Sequence, residues 1–297
     1  MNKGLVALIV LSRPHFLAGG ILLYALGALI AWRDSTLIHW PTYWFGQLVV
    51  TSIQLMTHYI NEYWDIDTDR LNRNRTFFSG GSGVLANFHT PLSRRTALIA
   101  ARLALCMGTL IMVTLSHLFQ IDAIVWAIFG LAVAGAWLYS SPPLALVRTG
   151  FGELAAALVV SFLVPAFAYF LQTGQPNFSL IAASAPLVLL NWAMVTIFEF
   201  PDHAADSAVG KFTVLVRLGQ QRTQVLIYLA IVSAFGLFAL LPPHNLLTIL
   251  AAPIAFVVIS LIGSRTHYGW LTFSALTLYG LTATLQALGI FLNQPDY

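Results

Sequence analysis

Residues 61–69 read Asn-Glu-Tyr-Trp-Asp-Ile-Asp-Thr-Asp and follow an apolar run that begins at Trp44. Asn61, Asp65 and Asp69 are four residues apart, so on a helix they share one face. Oxygen-bearing side chains at a membrane edge are costly to desolvate, and the two carboxylates repel each other, so we expect a cation among them. Hard oxygen ligands with room for phosphate suit Mg²⁺. The stretch therefore predicts a magnesium site.

A second acidic stretch repeats this pattern. Glu199, Asp202 and Asp206 follow the apolar run 187–198, and the two aspartates keep the four-residue spacing. With four acids in the first stretch and three in the second, the two hold most of the eleven acids of the chain. Aspartates also cap helices, so solvated helix ends are the alternative interpretation. Capping does not require the spacing twice, and we interpret the stretches as two Mg²⁺ sites that hold a diphosphate between them.

The composition is that of an integral membrane protein. Apolar residues make up 58% and charged residues 8% of the chain, against about 25% charged residues in soluble domains. The apolar runs are apolar on all sides rather than alternating, which favours helices over the strands of a barrel. We predict an all-α, polytopic membrane protein with about nine transmembrane helices. The predicted spans are about 15–32, 43–60, 97–117, 121–140, 152–172, 179–198, 223–241, 246–263 and 270–292.

The basic residues predict the orientation of these spans. If the N-terminus is inside, thirteen of the fourteen Lys and Arg residues fall on the inner side, and Arg33 falls outside. This bias predicts a multi-pass protein of the cell membrane with both acidic stretches on the cytoplasmic side. It also explains the sequence pI near 9.1 without nucleic-acid binding. Residues 1–10 are interpreted as an uncleaved interfacial segment, and the single cysteine, Cys106, excludes an intramolecular disulfide.

The spacing of the two acidic stretches suggests an internal repeat. Asp202 follows Asp65, and Asp206 follows Asp69, by the same 137 residues. Each stretch comes after the second helix of a predicted four-helix set. We infer one membrane domain, 1–297, with a weak repeat of about 15–140 and 152–263. A pseudo-twofold relation along the membrane normal would bring the two stretches face to face.

Several residues near the predicted inner face are candidates for substrate binding. Arg75 and Lys211 lie close in sequence to the acids and could bind phosphate oxygens, although positive-inside topology explains each of them equally well. Arg13 is either a topology anchor or a ligand for an acidic or phenolic group. Tyr139 is either an interfacial aromatic or a site residue that stabilises a cation or orients a substrate. The glycine-rich segment 79–83 could bind phosphate through backbone N–H groups or form a flexible lid.

These stretches resemble the UbiA superfamily of intramembrane aromatic prenyltransferases. NEYWDIDTD (61–69) and EFPDHAADSAVGKFTVLVRLG (199–219) resemble its two aspartate-rich motifs, and the likeness extends from Ser12 to about Gly219. FFSGGSGVL, PLSRRTALIAA and the segment 137–174 resemble the 1,4-dihydroxy-2-naphthoate branch. Glu62 replaces the usual aspartate. The lysine that several branches have after Tyr139 is missing, which leaves Arg148 as the nearest base.

The resemblance implies a nine-helix bundle with a cytoplasmic cap over the active site. It implies transfer of a polyprenyl group from polyprenyl diphosphate to an aromatic acceptor, 1,4-dihydroxy-2-naphthoate in menaquinone biosynthesis, with Mg²⁺ as cofactor. The implied metal ligands are Asn61, Asp65, Asp69, Asp202 and Asp206, the four aspartates and Tyr139 are the catalytic residues, and Asn61, Arg75, Lys211, Arg13 and Arg148 bind substrate.

Two alternative functions remain open at this point. One is a related prenyltransferase that uses 4-hydroxybenzoate, homogentisate, a tetrapyrrole or glycerol phosphate as acceptor. The other is a membrane transporter that uses the acids as a binding site. A transporter is expected to have carboxylates near the middle of the membrane, whereas Glu153 and Asp122 lie at the ends of predicted spans. Apart from substrates and membrane lipid, the sequence indicates no partner.

Overall fold

The computed structural model describes residues 3–34, 37–87, 92–242, 245–262 and 267–293, and within these ranges it is all-α, without a β-strand. The predicted fold class is confirmed. The helices are α1 Lys3–Leu11, α2 Pro14–Arg33, α3 Trp40–Leu71, α4 Arg94–Phe119, α5 Ala123–Ser140, α6 Gly152–Leu158, α7 Val164–Thr173, α8 Phe178–Phe198, α9 His203–Ala208, α10 Val214–Leu218, α11 Gln220–Leu240, α12 Ala252–Leu261 and α13 Tyr268–Leu292.

Seven helices of the described chain are long and apolar enough to cross a membrane. They coincide with seven of the nine predicted spans, so a multi-pass membrane protein is confirmed, and the count of nine stays a prediction. One of the seven, Gly152–Thr173, consists of α6 and α7 joined by the π-helical turn Val159–Leu163. The seven are α2, α4, α5, the α6–α7 helix, α8, α11 and α13.

The other two predicted spans differ from a simple apolar helix. The second is part of α3, which has 32 residues and is therefore about 48 Å long at 1.5 Å per residue. That length exceeds the roughly 30 Å hydrocarbon core of a bilayer, so the acidic end of α3 extends beyond it. The eighth is a 3₁₀ segment, Leu246–Ala251, that continues into the ten-residue helix α12.

The two acidic stretches have different local structures. Asp65 and Asp69 lie within the continuous helix α3, as their spacing predicts. The second stretch is not one helix, because α8 ends at Phe198 and a turn containing Pro201 follows. Proline disfavours helical geometry in the residue before it and lacks the N–H that a helix needs. Asp202 then occupies the N-cap position of the short helix α9, and Asp206 lies in its first turn.

The helices pack closely around the part of the molecule that contains the acids. α3 packs along α4, α2 along α7, and α8 along α11. Gly27 of α2 faces the backbone of Pro165 in α7, and a β-carbon on Gly27 would overlap the Pro165 carbonyl. Glycine is thus required where α2 and α7 cross. Tyr24 of α2 is fully buried, and its hydroxyl donates a 3.0 Å hydrogen bond to the Tyr43 carbonyl of α3.

Candidate active site

A cavity of about 590 Å³ brings the two acidic stretches together. Its polar end contains side chains of α3, of the turn after α8 and of α9, and its body is bounded by apolar side chains of α2, α5, α7, α8 and α13. The structure therefore joins a carboxylate-rich end to a long apolar volume. All five predicted metal ligands line the cavity: Asn61, Asp65, Asp69, Asp202 and Asp206.

Lys211 connects the two acidic stretches. Its ammonium nitrogen lies 3.9 Å from Asp65 Oδ1 of α3 and 3.4 Å from Asp206 Oδ1 of α9. Lys211 is 8% exposed and lines the cavity, a position that a ligand of phosphate oxygens requires. Burial alone would lower the pKa of Lys211, but the surrounding acidic groups, first Asp65 and then Asp206, together raise that pKa well above its usual value. Lys211 therefore places a positive charge between two walls of the cavity, one formed by the carboxylates of α3 and the other by Asp202 and Asp206.

Asp202 is held by the loop that follows α3. Its Oδ1 accepts a 2.5 Å hydrogen bond from Asn72 Nδ2, and its Oδ2 accepts a 3.2 Å bond from the Gly80 N–H. Burial raises the pKa of Asp202 to about 7, with Lys211 and these donors acting in the opposite direction. The glycine-rich segment thus donates a backbone N–H to a carboxylate, in the manner predicted for phosphate.

The segment 79–83 lies directly over the acids. Ser79, Gly80 and Gly81 line the cavity, and Gly80 and Gly81 have φ of 75° and 74°, which favours glycine. A β-carbon on Gly81 would overlap the Asp69 carboxylate. The absence of side chains at these positions allows the loop backbone to approach the carboxylates.

Arg13 reaches the cavity through an ion pair. Its Nη2 and Nε lie 2.5 Å and 3.1 Å from Glu62 Oε1, and Glu62 is 1% exposed. Ser82 donates to the same carboxylate from its N–H at 2.5 Å and from its hydroxyl at 2.8 Å. Glu62 thus ties the linker before α2 to α3 and to the glycine-rich loop. Glu62 is not a cavity-lining residue, whereas Arg13 is.

Comparison with known proteins identifies the family. A family model described as the UbiA prenyltransferase family matches residues 20–275. The chain belongs to the UbiA prenyltransferase family. The family resemblance read from the two aspartate-rich stretches is confirmed.

Curated relatives of this UbiA protein include two bacterial enzymes. A 1,4-dihydroxy-2-naphthoate octaprenyltransferase of Mycobacterium tuberculosis is 26% identical over 229 residues, which are 73% of this chain and 74% of the relative. An enzyme of the same name from Bacillus subtilis is 25% identical over 213 residues, 71% of this chain. The match spans 65% of the Bacillus protein, somewhat less than two thirds of its length.

Solved structures share the fold. A UbiA homologue from Aeropyrum pernix, in its apo form, has a TM-score of 0.68 at 16% identity, with 94% of this chain and 99% of the other covered. A UbiA homologue from Archaeoglobus fulgidus, bound to DMAPP and Mg²⁺, has a TM-score of 0.59 at 15% identity, with 96% and 98% covered. At these identities the likeness concerns the fold of this UbiA protein.

The acids of this UbiA protein form two opposed walls rather than a closed metal cage. Among the described residues, no group of three or more His, Cys, Asp or Glu side chains is arranged to hold a metal ion. Mg²⁺ does not require such a group, because it keeps several waters and is usually bound through one or two carboxylates plus substrate phosphates. Asp206 is 1% exposed, and its Oδ1 accepts no hydrogen bond of good geometry from the described residues. This donor set fits Mg²⁺ bound together with a diphosphate.

Two predicted substrate ligands lie elsewhere. Arg75 is exposed and does not line the cavity, and its guanidinium donates to the Ser82 carbonyl. Arg148 ends a short 3₁₀ segment, Leu146–Arg148, and does not line the cavity either. Arg75 is close in sequence to the acids, and Arg148 is close to Tyr139. The position of a side chain in a loop depends on backbone conformation, so closeness in sequence does not bring either residue to the cavity. Tyr139 itself lines the cavity.

Other contacts of the acids were not predicted. Ser140 donates a 2.7 Å hydrogen bond to Asn61 Oδ1 and so fixes the orientation of that amide. Asn72 and Ser82 hold Asp202 and Glu62, as described above. Ser140, Asn72 and Ser82 lie in or next to the polar segments that connect predicted spans, and this location is the only sequence feature that points to them. Their partners are distant in sequence, so spacing could not pair them.

Glu199 and Glu153 form a buried acidic pair beside the cavity. Glu199 is 8% and Glu153 is 1% exposed, and Glu199 lines the cavity. Burial, followed by the neighbouring Glu153, raises the pKa of Glu199 well above its usual value. Glu153 also accepts a 2.6 Å hydrogen bond from the Val214 N–H, which attaches α10 to α6. Glu199 therefore holds a proton more readily than an exposed glutamate does.

Proposed function

We propose that this UbiA protein transfers a polyprenyl group from polyprenyl diphosphate to 1,4-dihydroxy-2-naphthoate, a step of menaquinone biosynthesis. The observation that supports this most directly is the single cavity in which four aspartates and Lys211 face an apolar body. Such a cavity suits a substrate with an anionic head and a hydrocarbon tail. Both curated relatives described above carry the name of this activity, and a structural neighbour was solved with DMAPP and Mg²⁺.

The diphosphate head of the substrate belongs at the acidic end. Asn61, Asp65 and Asp69 would hold one Mg²⁺, and Asp202 and Asp206 the other. When bound, Mg²⁺ supplies positive charge that neutralises the departing diphosphate. Lys211 is placed between the two walls, so its ammonium can bind diphosphate oxygens as a point charge. Arg13 contributes positive charge at the same end through a guanidinium that Glu62 positions.

The residues around the apolar body protect the reacting carbon. The allylic C–O bond breaks with its electron pair going to the diphosphate, and the acceptor ring carbon forms the new C–C bond. For a dihydroxynaphthoate, the carboxylate at that carbon leaves as carbon dioxide. The ring of Tyr139 lines the cavity and can stabilise the allylic cation. The helices exclude water that would otherwise capture that cation.

The proposal also includes the location of the protein and its domain organisation. The charge bias of thirteen basic residues to one favours a site that opens to the cytoplasm from the cell membrane. The regular 137-residue offset favours one domain with an internal repeat of about 15–140 and 152–263.

The proposal is tested with purified protein in detergent. The assay combines a polyprenyl diphosphate, Mg²⁺ and 1,4-dihydroxy-2-naphthoate, with an EDTA control, and measures prenylated product by mass spectrometry. We expect a metal-dependent, decarboxylated prenyl product. Metal-dependent product with 4-hydroxybenzoate, homogentisate, a tetrapyrrole or glycerol phosphate instead would keep the prenyl transfer and reject the naphthoate acceptor. A folded protein that releases diphosphate with none of them would contradict prenyl transfer and favour a transporter.

A further inference from the structure

The cavity has a second polar level beyond the acids, formed by Gln54 and Asn191. Gln54 lies on α3 seven residues before Asn61, and Asn191 lies on α8 seven residues before Phe198, where that helix ends. At 1.5 Å per residue, Gln54 is about 10 Å from Asn61 along α3, and Asn191 is about 10 Å from Phe198 along α8. Two side chains of the same chemical type therefore line the same cavity, each about two helical turns from the acidic stretch that follows it.

The spacing of these carboxamides matches the spacing of the acids. Gln54 comes eleven residues before Asp65, and Asn191 comes eleven residues before Asp202. The pair therefore has the same 137-residue offset as the aspartates. Eleven residues are about three helical turns, so on α3 Gln54 shares the face of Asp65. One carboxamide lies on α3 and the other on α8, at positions related by the same offset that suggests the internal repeat.

Each carboxamide is held by a contact that leaves its carbonyl oxygen unused. Gln54 Nε2 donates a 3.4 Å hydrogen bond to the Phe16 carbonyl. Asn191 is 1% exposed, and its carboxamide lies near the Tyr279 hydroxyl. That hydroxyl lies 2.6 Å from Ser161 Oγ, in the π-helical turn between α6 and α7. Gln54 Oε1 and Asn191 Oδ1 are both buried and have no hydrogen-bond partner among the described residues.

The unused oxygens indicate the chemistry of the ligand. Leaving a buried acceptor without a donor is unfavourable, so the filled cavity should supply a donor at this level. A polyprenyl chain has no donor. We propose that Gln54 and Asn191 bind the hydroxyl groups of the aromatic acceptor, whose ring then lies between this level and the diphosphate. This inference rests on the proposed function, of which it specifies the acceptor site.

The two carboxamides also distinguish the redox forms of the acceptor. Two carbonyl oxygens accept hydrogen bonds and cannot donate them. A hydroquinone-type ring offers hydroxyl donors, whereas the corresponding quinone offers further acceptors. A site that forms hydrogen bonds with a substrate hydroxyl rejects an analogue that lacks this hydroxyl, because the polar groups of the site are then left unpaired. The cavity should therefore select the hydroxylated acceptor over the oxidised one.

The experiment compares affinities for two naphthoates. Equilibrium binding of 1,4-dihydroxy-2-naphthoate and of 1-hydroxy-2-naphthoate, which lacks one hydroxyl, is measured under anaerobic conditions in the full-length protein and in Asn191→Leu and Gln54→Met. We expect the natural protein to favour the dihydroxy compound about 10-fold, the value of one well-made hydrogen bond. In at least one of the variants the preference should fall to about 2-fold or less, with an unchanged KM for polyprenyl diphosphate.

Gln47→Met is the matched control. Gln47 lies on α3, two turns before Gln54, is 7% exposed and also has an unpaired Oε1, but it does not line the cavity. This variant should keep the 10-fold preference. If Asn191→Leu does not fold, Gln54→Met provides the test, because Gln54 is less buried.

Three outcomes would overturn the inference. They are an unchanged preference in both variants, a raised KM for polyprenyl diphosphate with unaltered acceptor affinity, and failure of the natural protein to bind either naphthoate. The proposed function fails separately, through the absence of prenyl transfer by a protein that binds the acceptor. Affinity and turnover therefore distinguish the two failures.

Discussion

Lys211 Nζ lies 3.9 Å from Asp65 Oδ1, so a cation that follows the second acidic stretch reaches a carboxylate of the first. The same ammonium lies 3.4 Å from Asp206 Oδ1. Lys211 therefore lies between carboxylates of the two acidic stretches, where the proposed function places the diphosphate. We infer that it neutralises the carboxylates in the absence of substrate and binds phosphate oxygens in its presence.

Replacing Lys211 should impair the use of polyprenyl diphosphate. Lys211→Met removes the positive charge and should lower kcat/KM by about 10²-fold, the usual effect of losing one preorganised charged donor. Lys211→Arg keeps the charge on a different geometry and should retain more activity than Lys211→Met. Steady-state kinetics with varied polyprenyl diphosphate measures the effect. Equal activity of Lys211→Met and the natural protein would contradict the role of this residue.

Each wall of carboxylates should be required for turnover. Asp65→Asn and Asp202→Asn keep the side-chain shape and remove one negative charge, so Mg²⁺ and the diphosphate lose a ligand. We expect turnover to fall by about 10²–10³-fold while the protein stays folded in detergent. Asp67→Asn is the control, because Asp67 lies outside the cavity and pairs with Arg94 at 3.6 Å. An active Asp65→Asn or Asp202→Asn variant would contradict the two-metal proposal.

The sequence predicted those features of the site that depend on local periodicity. The four-residue spacing of Asn61, Asp65 and Asp69 requires only that α3 continue through the acids, and it does. The composition and the length of the apolar runs predicted the all-α membrane fold, because they too are local properties of the sequence. The equivalent spacing of Asp202 and Asp206 selected two residues that do line the cavity, but it did not predict their local structure, because Pro201 separates α8 from α9.

Long-range contacts could not be predicted in this way. Asn72 and Gly80 hold Asp202 across more than 120 residues of sequence, and only tertiary packing determines such a pairing. The closeness of Arg75 to the acids in sequence suggests a substrate ligand, yet its side chain donates to the Ser82 carbonyl of the glycine-rich loop. In loops, side-chain direction depends on backbone conformation rather than on periodicity.

The pKa of Asp202 should make stability depend on pH in metal-free buffer. Burial raises this pKa to about 7, above its value in the unfolded chain, so the folded state binds the proton more tightly. Stability is then greatest below about pH 4 for this group and falls as the pH rises toward 7. Asp202→Asn should remove that part of the dependence. Thermal unfolding in EDTA between pH 4.5 and 8 measures the difference, and parallel curves for the two proteins would contradict the assignment.

The glycine at position 81 should be required for the closed loop. Gly81 has φ of 74°, and a β-carbon there would overlap the Asp69 carboxylate. Gly81→Ala should therefore move the loop away from the acids, weaken the hydrogen bonds to Asp202 and Glu62, and lower kcat/KM by about 10-fold or more. Gly130→Ala is the control, since a β-carbon at Gly130 meets no other atom within 4 Å and alanine favours the helix by up to about 1 kcal/mol. Kinetic constants and thermal unfolding of both variants measure the effect. Full activity of Gly81→Ala would show that the loop can open without loss of catalysis.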